Sequence, residues 1–356
     1  MRIYTLSCFQ YFACLASTCP DTCCQNWEVM LDAKTCARYR AMPGDLGDQL
    51  RAAICEKDGE TFFELKGGYC PFLNPEKLCR IQLQEGVQAL SINCDAYPRF
   101  IEVYGGDQEQ CLAISCPEAA RLLLANEMPM QLLETQNGAW PEPNDLDAIR
   151  YRILKAARKV AISIVQDRTL PIARRLAVLL HYTEQLQTLL RKRDLEAAEM
   201  LRQQYLKTRR QIAETLPTDQ RTRTRLLKHT MTLFSQMEPL QPAWEAQLQE
   251  AQIAMEAAGL RATKIPAWQY EHILVYFLYR YFLKAVNDGK LLARVRGIVL
   301  MYLLLRMLET EEDMTCCMLE TRLYRFSREI EHSTDNLNLL WKEAANRRFS
   351  NLIAAL

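Results

Sequence analysis

From residue 145 onward, apolar positions recur at helical spacing. Ile149, Ile153, Ala157, Val160 and Ile164 share one face, as do Leu176, Leu179, Leu186 and Leu190. Pro171, Pro217, Pro239, Pro242 and Pro266 punctuate successive runs. The pattern predicts about eight to ten helices between residue 145 and the end. No fixed repeat of about 30–45 residues is visible, so a solenoid is not expected. Residues 1 to about 116 read differently. Their hydrophobic periodicity is weak, and eight of the 12 glycines lie there. The short apolar runs Thr61–Leu65 and Arg99–Tyr104 suit strands of a small sheet. Glu118–Asn126 starts a helix, with Pro117 suited to its first turn. A linker rich in Pro and Asn follows, roughly Gln136–Asp145. The expected fold is mainly α. A small, irregular Cys-rich metal-binding region with minor β (residues 1–125) precedes an all-helical domain (residues 145–356).

The 356 residues are 49% hydrophobic, ample for one or two large cores. Lys and Arg number 44 against 43 Asp and Glu, for a net charge of +1. A dedicated nucleic-acid binder is normally strongly basic, so that class is not expected. Charge is split along the chain. Residues 1–120 hold 10 basic and 16 acidic side chains (net −6), and the remainder 34 and 27 (net +7). Ile3–Ala16 has the look of a secretory leader, but Gln10, Cys8 and Cys14 interrupt it. Ile273–Leu283 and Ile298–Leu305 are too short to cross a bilayer. The chain therefore reads as a soluble cytoplasmic protein, with no membrane partner.

Cysteine changes the picture most. Twelve of the 14 lie between Cys8 and Cys116, and none of the four histidines does. In a reducing compartment, dense cysteines point to metal rather than disulfides. The groups are Cys14-x4-Cys19-x3-Cys23-Cys24, then Cys70 and Cys79, then Cys94, then Cys116. Thiolates from a tight turn and from distant segments can close on one centre. A metal bound this way supplies folding free energy that a weakly patterned region lacks. Soft sulfur donors select zinc or iron–sulfur clusters. The absence of histidine and of paired CxxC motifs favours iron–sulfur, and all-cysteine zinc sites remain the alternative. Cys8, Cys36, Cys55 and Cys111 read as small buried hydrophobes. Cys316 and Cys317 read as core packing.

Five ordered motifs together resemble the flagellin lysine-N-methylase family. They are Cys14–Trp27, Cys70-Pro-Phe-Leu73, Leu78-Cys-Arg-Ile81, Cys94-x2-Tyr97-Pro-Arg99 and Ser115-Cys-Pro-Glu-Ala119. They cover about the first 120 residues. The resemblance implies an S-adenosylmethionine-dependent protein-lysine N-methyltransferase acting on flagellin. It also implies a [4Fe–4S] cluster on four cysteines from Cys19, Cys23, Cys24, Cys70, Cys79 and Cys94, with Cys14 and Cys116 in reserve. It names no catalytic residue and no oligomeric state.

The residues limit the chemistry. No GxGxxG turn exists, so a Rossmann-type donor site is not expected. The radical signature Cys-x3-Cys-x2-Cys fails, because Asn26 holds its third position. Polar methyl transfer is the expected mechanism, and it requires a deprotonated amine. Arg99 can meet a donor carboxylate bidentately, and Tyr97 and Trp27 are candidates to line that cofactor pocket. Glu118 reads as a dipole-favouring helix start rather than a base. Eight basic residues from Arg202 to Lys228 read as a solvated face, or else as a docking face for a protein substrate. The aromatic run Tyr270–Phe282 reads as core. The competing readings are a non-enzymatic zinc- or iron-bearing helical interaction scaffold and a redox sensor.

Overall fold

The computed structural model describes residues 1–25, 29–137, 145–311 and 314–356. Trp27 and most of the expected linker lie outside them. Seven strands occur among the described residues: β1 (Arg2–Leu6), β2 (Val29–Met30), β3 (Ile54–Lys57), β4 (Glu60–Phe63), β5 (Arg99–Tyr104), β6 (Asp107–Leu112) and β7 (Leu132–Gln136). Short helices α1 (Ala33–Ala41), α2 (Gly44–Ala53), α3 (Arg80–Glu85), α4 (Ile92–Ala96) and α5 (Pro117–Leu123) lie among the strands. Eleven helices follow: α6 (Ala148–Val165), α7 (Ile172–Lys192), α8 (Leu195–Thr215), α9 (Gln220–Ser235), α10 (Trp244–Ala258), α11 (Ala267–Tyr281), α12 (Ala285–Asp288), α13 (Leu291–Met307), α14 (Cys316–Glu331), α15 (Thr334–Ala344) and α16 (Leu352–Ala355). The protein is mainly helical, as its spacing predicts, and no described helix is long and apolar enough to cross a membrane. Pro171 and Pro266 occupy the N-caps of α7 and α11, where a missing N–H costs nothing.

The first third is more regular than its periodicity suggests. It forms a four-stranded sheet, ordered β5-β6-β1-β7, and a three-stranded sheet, β2-β4-β3. The alternation of β6 is hidden because its buried side chains include Asp107, Gln108 and Glu109. Each carboxylate is matched. Asp107 meets Arg2 at 2.6 Å and also accepts from Lys155 and Tyr151. Glu109 is gripped by both guanidinium nitrogens of Arg158, itself 2% exposed. A buried carboxylate is tolerated only when paired in this way. Both partners sit on α6, so these ion pairs dock the sheet on the helices. Tyr279 of α11 adds hydrogen bonds to the carbonyls of Tyr4 (2.7 Å) and Gln110 (3.2 Å).

The buried apolar residues form two clusters. One gathers Val29, Tyr39, Leu50, Phe63, Phe72 and Ile81 among the short elements, with Cys24, Cys70, Cys79 and Cys94 packed on it. The other runs without a break from Leu6, Phe9 and Leu112 through α5 into the helices. The aromatic run of α11 is core: Tyr270, Tyr276, Phe277, Tyr279, Tyr281 and Phe282 are all buried. Cys36 and Cys111 are buried as expected, but Cys316 and Cys317 are exposed, against the core-packing expectation. They open α14, whose buried face begins only at Leu319.

Glu329 of α14 is fully buried. Its Oε2 accepts from the Leu240 amide at 2.8 Å, and its Oε1 has no hydrogen-bond partner. Burial pushes its carboxyl up from 4.5 to about 7. Below about pH 4.5 the folded and unfolded chains both hold the proton, and stability is complete. As pH rises through about 7, the fold must ionise a buried acid and that contribution is lost. Glu329→Gln is expected to remove this decline. Denaturant melts should show the variant more stable by on the order of 2–3 kcal/mol near pH ~8 and level with the parent near pH ~4.5. An equal gap at both pH values would contradict the assignment.

Candidate functional site

The cysteine segments are brought together by backbone pairing. The Cys70 amide donates to the Cys24 carbonyl at 2.9 Å, and Gln25 bridges to Tyr69. Leu73 bridges to Cys79, which caps α3, and the Arg80 amide donates to Phe72 O at 2.8 Å. Cys94 lies in α4, whose N-cap Ser91 accepts from the Cys94 amide at 3.2 Å. Short turns thus carry thiols from four separate stretches to one edge of the smaller core.

The thiols feel one another. Cys23 and Cys24 sulfurs lie 4.0 Å apart. Their shared hydrogen bond pulls Cys23 down to about 7, while Cys24 is driven up as the protonated member. Burial, with smaller contributions from Cys79, Cys94 and Cys23, lifts Cys70 to about 12. Burial also raises Cys94, with contributions from Cys79 and Cys23. Cys19 and Cys116 sense Cys23 from the other side, and burial raises both, Cys116 to about 11. Cys23, Cys70, Cys79 and Cys94 thus influence one another, with Cys24 coupled to Cys23, whereas Cys19 senses only Cys23 of the predicted set. Several thiolates gathered here would repel one another. A cationic centre relieves that repulsion, and an all-sulfur donor set suits iron–sulfur or zinc. Among the described residues, no group of three or more His, Cys, Asp or Glu side chains is placed so that it could hold a metal ion, so the expected metal-binding arrangement is not shown.

Arg328 of α14 anchors this edge to the helices. Buried, it donates to Asp21 Oδ2 (2.8 Å), Thr22 O (3.1 Å) and Ser115 O (3.2 Å). Beside it runs a hydrogen-bonded chain. Tyr97 Oη and Ser115 Oγ are 3.1 Å apart, and Ser115 Oγ lies 2.8 Å from His332 Nε2. Burial, reinforced by the Arg328 charge, pushes His332 down to about 4, so its ring is neutral at physiological pH.

Tyr97 and His332 line a cavity of about 290 Å³, together with Arg99, Phe100, Tyr276, Arg280 and Glu331. That is near the lower end of small-ligand sites, about 300–1,000 Å³. Two sequence-predicted cofactor residues, Tyr97 and Arg99, thus meet in one pocket. Arg99 also stacks over Phe12, with 5.0 Å from guanidinium to ring centre. Trp27 lies outside the described residues. Glu118 is occupied by a two-point ion pair with Arg121 (2.7 Å), as a helix-start carboxylate would be. Sequence reasoning missed Ser115 as a bridge, and it missed Tyr276, Arg280, Arg328, Glu331 and His332 altogether. A lone histidine near the chain end was the one available signal, and no spacing ties residue 332 to residue 97.

Comparison with known proteins adds one family match, three relatives and one absence. Residues 158–356, more than half of the chain, match the FliB lysine N-methylase C-terminal domain. The chain is 30% identical over 131 residues to a lysine-N-methylase of Salmonella choleraesuis strain SC-B67, covering 35% of this chain and 33% of that one. It is 31% identical over 130 residues to the lysine-N-methylase of Salmonella typhimurium strain LT2, covering 35% and 32%. It is 30% identical over 134 residues to the flagellar biosynthetic protein FliU of Salmonella muenchen, covering 36% and 79%. The match spans about a third of the length of the two lysine-N-methylases. No solved structure matches the chain.

Proposed function

Because the chain belongs to the FliB lysine N-methylase family, we propose that it transfers methyl groups from S-adenosylmethionine to lysine ε-amines of flagellin. One observation carries the reading. The cavity takes one wall from the predicted cofactor segment, Tyr97 and Arg99, and another from the family domain, Tyr276, Arg280, Glu331 and His332.

A [4Fe–4S] cluster would be held by four thiols from Cys19, Cys23, Cys24, Cys70, Cys79 and Cys94. When bound, it supplies the positive centre that lets these thiols ionise and ties their segments together. The chemistry at the cavity is polar. The amine loses its proton, its lone pair forms the new N–C bond, and the C–S bond breaks onto sulfur as a neutral thioether. Both reactants begin as cations. His332, kept neutral, adds no further positive charge to a wall that already holds Arg99 and Arg280, and it offers a polar partner through Ser115 and Tyr97. Much of the remaining acceleration is positioning of nitrogen, methyl and sulfur in line.

The test is incubation of anaerobically purified protein with flagellin and isotopically labelled donor, followed by peptide mass analysis and assay of iron, sulfide and zinc. Label on flagellin lysines, with about four irons and four sulfides per chain, is expected. Colourless protein with one zinc and no transfer would instead establish the binding scaffold.

A further inference from the structure

Arg280 and Glu331 line the cavity together with Arg99, and each feels the other's charge without a close ion pair between them. Glu331 accepts from Tyr281 Oη (2.6 Å), Tyr276 Oη (3.2 Å) and Ser327 Oγ (2.5 Å). All three donors are neutral hydroxyls, and among the described residues Glu331 has no ion-pair partner. A carboxylate oriented by neutral donors keeps its charge available to a cation. Arg280 lies with its guanidinium 3.4 Å from the centre of the Phe100 ring, which fixes its plane. Its Nη1 reaches Glu102 at a long 3.3 Å, and Lys284 already holds that carboxylate oxygen at 2.7 Å. Its Nε is buried with no hydrogen-bond partner. A guanidinium N–H buried without an acceptor costs free energy, and the accessible part of Arg280 on the cavity is its outer fork.

An anion entering alone would face Glu331, and a cation entering alone would face Arg280. One ligand class satisfies both, a zwitterion with carboxylate and ammonium on adjacent atoms. Resting on the methyltransferase reading above, we propose that Arg280 and Glu331 recognise the α-amino acid group of the methyl donor. Arg280 takes the carboxylate through its planar fork, and Glu331 takes the ammonium. The rings of Tyr97 and Tyr276 flank the aliphatic arm. The substrate lysine is the less suitable occupant, because its ammonium carries no carboxylate to offset Arg280.

Calorimetric titration of the full chain tests this with S-adenosylhomocysteine and with 5′-methylthioadenosine, which lacks the amino acid group. S-adenosylhomocysteine is expected to bind at least ~100-fold more tightly. Glu331→Gln and Arg280→Lys should each weaken it about 10- to 100-fold while leaving 5′-methylthioadenosine unchanged. Thermal melts of both variants check folding. If Arg280→Lys fails to fold, Glu331→Gln decides through the same pair of ligands. Equal weakening of both ligands, or no loss for S-adenosylhomocysteine, overturns the pair. If flagellin is still methylated in that case, the function stands without this inference. A wild-type chain that binds neither ligand and transfers no methyl group removes both.

Discussion

Replacing Cys70 and Cys94 together by serine is expected to strip iron from the protein and to lower methyl transfer at least ~100-fold. The two thiols come from separate segments, yet both lie on the smaller core and both sense Cys79 and Cys23. A hydroxyl is a poor ligand for a soft metal and donates no charge to it. Losing two of the six candidate ligands, both on the smaller core, is therefore expected to remove the centre rather than weaken it. The Cys-rich segment should also become easier to unfold, because metal affinity at such a site is folding free energy. Cys55→Ser is the matched control. That thiol sits on β3, 4.0 Å from Glu64 and outside the predicted set, so iron content and activity should not change. Iron analysis and labelled methyl transfer read the result, and a double variant with full iron and full activity would end the cluster hypothesis.

Arg158→Met should give the largest loss of stability, about 3–5 kcal/mol. The guanidinium is buried and holds Glu109 at two points, with a further bond to Tyr279 O at 3.2 Å and its charge over the Tyr279 ring. Methionine fills much of the space but strands the Glu109 carboxylate inside the core. In calorimetry a chain of this size should lose about 4–7 °C in Tm. Adding Glu109→Leu removes the stranded charge and should recover most of the loss, since apolar replacement of a buried pair is often neutral. If the double variant is as weak as the single one, the cost lies in packing around Arg158 and not in the unpaired carboxylate.

Much of the helical part was legible because its core residues obey one period. Ile153, Ala157, Val160 and Ile164 are buried as their spacing requires, and the prolines fall between helices. The strands Glu60–Phe63 and Arg99–Tyr104 were legible from short β-favouring runs. The sheet as a whole was not, because burial of Asp107 and Glu109 depends on cations about fifty positions away. The cysteines could be grouped from spacing alone, since turns keep near neighbours near. The cavity could not, because Tyr97 and His332 meet only through tertiary packing. Cys316 and Cys317 were misread because helical sequence says nothing about where along a helix its buried face begins.

The order β5-β6-β1-β7 has a topological consequence. The whole stretch from Ser7 to Pro98 leaves the sheet at the end of β1 and returns to it at β5. Its two ends are thus stapled to a common floor, and it forms a closed lasso rather than a dangling arm. A loop already closed has spent most of its chain entropy, and that cost grows only logarithmically with length. On the cluster proposal, assembly of the sheet would bring the sulfur atoms partway together before the cluster binds. Cutting the lasso once should lower metal retention even with every ligand still present.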